Sequence, residues 1–176
     1  EGNPDTDASA PCGSDVGECV RGTTTCANAS GYKGTIVCAD ETVPAPDVCD
    51  EVDNDCDGDS DESYTSGGTV TLTDLDGTDS LVKGDSCGVG ACAGGDVICG
   101  ESATQLACSS HGQSSPEICD GIDNDCDGEI DEDFKIDGSV TYTDLNGTGG
   151  LTLGKNCGTG SCGGGKVVCS DDQTTL

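Results

Sequence analysis

The residues best placed to do chemistry lie in an acidic stretch that the chain uses twice. The first copy is Cys49-Asp50-Glu51-Val52-Asp53-Asn54-Asp55-Cys56-Asp57-Gly58-Asp59-Ser60-Asp61-Glu62. The second is Cys119-Asp120-Gly121-Ile122-Asp123-Asn124-Asp125-Cys126-Asp127-Gly128-Glu129-Ile130-Asp131-Glu132. Carboxylates at alternate positions, a glycine for the turn and a closing acidic pair are what a hard cation with oxygen ligands requires of one loop. Without a cation the same charges repel one another at close range. The pattern predicts a calcium loop in each copy, hence at least two Ca²⁺ ions. The competing readings are an acidic turn with no ion and a site for another metal.

Counted from Asp53, the side chains of Asp53, Asp55 and Asp57 take the first, third and fifth places of an EF-hand-like order. Gly58 makes the turn, the Asp59 carbonyl takes the seventh place and Asp61 the ninth. The second copy supplies Asp123, Asp125, Asp127, the Glu129 carbonyl and Asp131 in the same roles. The twelfth place, a glutamate in an EF-hand, is Tyr64 or Phe134 here. The bidentate group must therefore come from Asp61 or Glu62, from Asp131 or Glu132, or from elsewhere in the module. Cys56 and Cys126 occupy the fourth place and are predicted to point away from the ion and anchor the loop. A soft-metal site is disfavoured, because zinc or copper would need reduced thiolates in an otherwise all-oxygen loop.

Something must hold these loops, and it is not a large apolar core: the 176 residues include one Phe, three Tyr, no Trp and no Met. Fifteen cysteines replace it. Disulfides stabilise by roughly 2 to 4 kcal/mol each and point to an oxidising compartment, hence a secreted or cell-surface protein. The sequence shows no signal peptide and no apolar run long enough to span a bilayer, so no membrane insertion is expected. The net charge of −29 excludes nucleic acid as a partner, and two bound Ca²⁺ ions would raise it only to −25.

The cysteines also reveal a repeat. Cys38, Cys49, Cys56, Cys87, Cys92 and Cys99 recur 70 residues later as Cys108, Cys119, Cys126, Cys157, Cys162 and Cys169. Cys12, Cys19 and Cys26 match Cys87, Cys92 and Cys99 at slightly larger offsets. The expected organisation is a linker or the end of a preceding unit at 1–11, repeat 1 at 12–86, repeat 2 at 87–156 and the start of a truncated repeat 3 at 157–176. The odd cysteine total fits a window on a longer repetitive chain; the alternative is a true terminus with a free thiol. Three disulfides per copy are expected, with fifteen possible connectivities.

Thr35-Ile36-Val37, Asp96-Val97-Ile98 and Lys166-Val167-Val168 read as brief strands. A second hairpin is expected after each loop, at Gly68 to Asp74 and Gly138 to Asp144, turning at Asp76-Gly77 and Asn146-Gly147 and returning through Leu81-Val82 and Leu151 to Leu153. Val48 with Val52 and Ile118 with Ile122 could pack a short helical turn or a compact loop inward. The fold class is thus a small disulfide-rich, β- and loop-rich tandem repeat with little helix, an elongated array of 70-residue modules.

Pro116 through Glu132 resembles the metal-binding repeat of the MopE type, found in secreted and surface proteins of many bacteria. The first copy departs from it at Glu51, where the pattern usually has Gly. Gly154 through Gly165 resembles the Cys-Gly segment that accompanies that repeat, and the loops are similar to those of thrombospondin type 3 and dockerin modules. The resemblance implies extracellular metal binding and defines a module, not one activity.

The expected function is a calcium-binding extracellular structural repeat, a segment of a filament, stalk or surface spacer whose partners are copies of itself or adjacent repeats. The alternatives are an adhesion module with a saccharide or protein ligand, and a non-covalent filament of short subunits joined by strand docking. No catalytic residue is assigned, since nothing pairs a nucleophile with a base. Asp74, Asp76 and Asp79 read as an ordinary turn and His111 as a surface histidine. Asn28 and Asn146 carry glycosylation acceptor patterns.

Overall fold

The computed structural model describes residues 9–27 and 35–176, with backbone only at Cys26, Ala27 and Thr35. Glycine and aspartate are poor helix formers, and among the described residues the helical segments are single 3₁₀ turns: Glu62–Tyr64, Gly90–Cys92, His111–Gln113, Glu132–Phe134 and Gly160–Cys162. The strands are short: β1 (Pro11–Cys12), β2 (Gly22–Ala27), β3 (Thr35–Ala39), β4 (Ser86–Cys87), β5 (Gly95–Cys99), β6 (Leu106–Cys108), β7 (Asn156–Cys157) and β8 (Gly165–Lys166). They form two three-stranded sheets, ordered β1-β2-β3 and β4-β5-β6, and the pair β7-β8.

Thr35-Ile36-Val37 and Asp96-Val97-Ile98 both lie in strands, but not in equivalent ones: the first is in an outer strand, β3, and the second in a central strand, β5. Strand composition marks extended backbone without marking its place in a sheet. The predicted second hairpins shrink to one bridge each, Leu72 with Leu81 and Tyr142 with Leu151. Their upstream residues turn elsewhere: Val70 N–H donates to the Ser63 carbonyl and Val140 N–H to that of Asp133. Leu72 and Leu81 N–H groups pair with each other's carbonyls, and Asp74 N–H with that of Thr78. No helical turn forms over Val48 to Val52, and Ile122 is about half exposed.

Sulfur builds the interior. Of the twelve buried apolar residues described, seven are cysteines, joined by Tyr64, Val97, Leu106, Phe134 and Val167. The chain divides into two compact units, Glu1–Thr71 with Cys99–Leu106, and Leu72–Ile98 with Ala107–Leu176. The first holds Cys12–Cys38, Cys19–Cys56 and Cys49–Cys99; the second holds Cys87–Cys108, Cys92–Cys126 and Cys119–Cys169. One connectivity is thus used twice. The last bridge of each set spans 50 residues and reaches past residue 86 or 156, where recurrence alone would end a copy. Tyr64 and Phe134, which replace the EF-hand glutamate, are 3 % and 1 % exposed, so that place serves the core.

Candidate metal centre

Each acidic loop is folded by its own side chains. Asp53 accepts from Cys56 N–H and Gly58 N–H, and Asp123 accepts from Asp127 N–H and Gly128 N–H, so the first carboxylate closes the turn from inside. Asp55 and Asp57 each accept from the N–H two residues on, as do Asp125 and Asp127. Asp53 and Asp123 accept on both oxygens, whereas Asp55, Asp57, Asp125 and Asp127 use one each.

Asp61 and Asp131 do something else. Both are buried, and both sit in the left-handed region at the start of a 3₁₀ turn, φ 57° and 50°. Asp61 accepts from Asp50 N–H and Glu51 N–H at 3.0 to 3.2 Å; Asp131 accepts from Asp120 N–H and Gly121 N–H at 3.1 Å. Their carboxylates lock the turn that follows Cys49 and Cys119. Asp59 and Glu129 are exposed.

All-carboxylate groupings form around Asp55 and its counterpart; two other close clusters, Cys49 with Asp61 and Cys99 and Asp74 with Cys108 and His111, contain bridged cysteines. One oxygen each from Asp55, Asp57 and Glu62 lies within 4.8 Å of the others, as do oxygens from Asp47, Asp53 and Asp55, and from Glu117, Asp125 and Glu132. Asp47 and Glu117 lie outside the alternating acidic pattern, yet each stands six residues before the loop's first aspartate and directly after Pro46 or Pro116. That shared register is the signal that would have found them. Asp47 Oδ1 accepts from Asn54 N–H and Asp55 N–H. Glu117 Oε1 accepts from Asn124 N–H and Asp125 N–H, while its Oε2 takes Asp131 N–H at 2.8 Å. Asn54 and Asn124 complete the clasp, accepting from Val48 N–H and Ile118 N–H.

Three carboxylate oxygens remain buried with no hydrogen-bond partner: Asp47 Oδ2, Glu62 Oε2 and Glu132 Oε2. An orphaned carboxylate oxygen is costly, and a proton or a cation removes the cost. The proton's effect is visible in the first loop. Glu62 is pushed up to about 7, chiefly by a hydrogen bond shared with Asp47, whose own pKa falls for the same reason. Asp55 is raised by loss of solvent, then by the charges of Asp57, Asp47 and Asp53. Glu132 is raised by burial, then by Glu117, Asp125 and Asp127. The donors offered are hard oxygens, and Cys56 and Cys126 are tied up in disulfides.

Asp74 is buried; burial would raise it, but Gly88 N–H and His111 outweigh that and its pKa is lowered. It accepts from Gly88 N–H, as Asp144 does from Gly158 N–H, so both pin the Cys-Gly segment. His111, expected alone on the surface, is instead partly buried, with Nε2 2.5 Å from Asp74 Oδ1. Asp76 caps its own turn through Thr78 N–H, and Thr73 Oγ1 donates to Asp79. Asn146 is exposed in a turn; Asn28 lies outside the described residues.

Fold and site together define a disulfide-rich, loop-rich repeat carrying two acidic metal-binding motifs. The family model Cu-binding MopE, described as a "Putative metal-binding motif", matches residues 44–62 and 113–132, so the chain carries two copies of the MopE-type motif. Both matches take in Asp47 or Glu117 with the loop. No curated protein and no solved structure matches the chain significantly. Among the described residues no helix is long and apolar enough to cross a membrane, and six disulfides fit an oxidising, extracellular setting.

Proposed function

We propose that the chain is an extracellular structural repeat whose acidic loops bind calcium, as part of a filament, stalk or surface spacer made of like repeats. One observation carries this reading: Asp47 Oδ2, Glu62 Oε2 and Glu132 Oε2 are buried without a donor, within otherwise self-bonded loops. In the first loop Asp53, Asp55, Asp57, Glu62 and Asp47 would hold the ion; in the second, Asp123, Asp125, Asp127, Glu132 and Glu117. A bound Ca²⁺ supplies positive charge to oxygens that face no donor.

The family's name points to copper, whereas the donor set here favours a hard cation. Copper seeks imidazole, thiolate or thioether; the chain's one histidine is held by Asp74, and it has no Met. Calcium asks for six to eight oxygens in a flexible shell, which side chains, loop carbonyls and water together provide.

The role is mechanical. An ion that binds only the folded loop stabilises it by mass action, and each loop is tied by Cys19–Cys56 or Cys92–Cys126 to a Gly-rich turn, so ion and sulfur stiffen the same element. Thermal unfolding and limited proteolysis of the oxidised chain, with calcium and with a chelator, test this. Calcium is expected to raise the midpoint and to suppress cleavage within 47–62 and 117–132. Equal resistance in both conditions, or protection by copper but not by calcium, would contradict it.

A further inference from the structure

The third copy of the Cys-Gly turn shows the same face as the first two without what covers it there. Gly17 and Gly90 lie so close to the acidic loop that a Cβ on either would meet the Asp53 or Asp123 carbonyl oxygen at 2.2 Å. Next to them, Glu18 N–H donates to the Asp53 carbonyl and Ala91 N–H to that of Asp123. Cys19 and Cys92 complete the joint by bridging to Cys56 and Cys126 within those loops, and are 5 % and 0 % exposed. The corresponding Gly160 has nothing within 4 Å among the described residues, and Cys162 is an exposed thiol.

The adjoining sheet repeats the contrast. Gly22 and Gly95 are buried, and a Cβ there would strike Cys38 Sγ or Cys108 Sγ of the third strand at 2.9 and 2.8 Å. Among the described residues strands β7 and β8 have no third partner; Gly165 is exposed, and Cys157 is a free thiol lining an apolar cavity of about 200 Å³. In both complete copies the covering strand cysteine and the loop cysteine are 18 residues apart, Cys38 to Cys56 and Cys108 to Cys126.

The geometry points to a single occupant for this face: a further segment patterned like 106–132, an edge strand with a cysteine followed 18 residues later by an acidic loop with a cysteine. Its strand adds to β8 and bonds Cys157, and its loop seats on Gly160 and bonds Cys162. A second copy of the chain offers no such segment, because Cys38, Cys56, Cys108 and Cys126 are already bridged. This deepens the repeat reading by naming what the third copy receives, and rests on it. Each new bond takes two protons and two electrons from a pair of thiols and passes them to a small disulfide oxidant, which leaves as two thiols.

The test offers the oxidised full chain a synthetic peptide of residues 106–132 carrying Cys119→Ser, with calcium and oxidised glutathione, and maps the bridges by non-reducing mass spectrometry. The expected result is Cys157 joined to the peptide's Cys108 and Cys162 to its Cys126. Gly160→Ala should slow the second bond by about tenfold, through overpacking against a backbone oxygen. Gly163→Ala, which only restores the residue type of Ala93, should leave it unchanged. Scrambled bridges, no adduct, a Cys157–Cys162 bond, chain-to-chain dimers or indifference to Gly160→Ala would each overturn the proposal. Calcium binding by the two existing loops is measured separately on the same chain, so failure of docking and failure of the calcium reading are distinguishable.

Discussion

The two acidic loops share a backbone plan and differ by one methylene at its hub. Glu117 spans the second loop, taking Asn124 and Asp125 N–H with one oxygen and Asp131 N–H with the other. Asp47 is shorter; its Oδ1 makes the same two bonds, while its Oδ2 has no N–H donor and the carboxyl shares a proton with Glu62 instead. The second loop is therefore nearly complete in itself, with only Glu132 Oε2 orphaned. The first depends more on what it binds. Folding and ion binding use overlapping carboxylates, and the length of one side chain decides how much of the loop waits for the ion.

The largest expected effect tests what the loops have in common. Asp61→Ala and Asp131→Ala should each destabilise the protein by about 3 kcal/mol, because each strands two backbone N–H groups in a buried turn. The loss should persist in chelator, measured by denaturant unfolding. A loss seen only with calcium present would make these aspartates ligands instead of locks. Next, Glu62→Gln and Glu132→Gln should weaken calcium binding by about tenfold or more in their own loops, read by titration calorimetry. Both should stabilise the ion-free protein by removing a repelled carboxylate, Glu62→Gln the more, since its amide also gives Asp47 a donor.

Asp47→Glu should transfer the second loop's completeness to the first and raise ion-free stability by about 1 kcal/mol, one added hydrogen bond. No gain, or a loss from overpacking, would mean the methylene does not explain the difference. The smallest effect is on pH. Glu62 sits at about 7 in the folded, ion-free loop against an ordinary 4.5. A raised carboxyl contributes its stability below the lower value and loses it as pH rises through the upper one. In chelator the melting midpoint should therefore fall between about pH 4.5 and 7, and Glu62→Gln should flatten that slope. A midpoint that climbs through this window would contradict the shared proton.

Much of this was legible in the residues. Alternating aspartates, Gly58 and Gly128 announce an oxygen-lined loop because few other structures tolerate such charge, and the cysteine recurrence announces the repeat. Roles within the acidic set were not legible: Asp61 and Glu62 are chemically alike neighbours, and only backbone direction turns one onto Asp50 and Glu51 N–H and the other toward Asp55 and Asp57. Asp47 and Glu117 are not marked by the residue pattern, because they lie outside the alternating aspartates and act through backbone N–H groups. The second hairpins are shorter than their residues suggest because Thr-Val-Thr-Leu carries strand chemistry whether or not a neighbouring strand exists to pair with it. Disulfide pairing was open in principle, and its bridges of 50 residues could not be chosen from spacing.

The most direct measurement is calorimetric titration of calcium into the chelator-treated, fully oxidised chain at neutral pH, alongside the Glu62→Gln and Glu132→Gln double variant. The account predicts two ions per chain, with binding in both loops weakened together in the variant. No calcium uptake, or copper uptake indifferent to both substitutions, would contradict it.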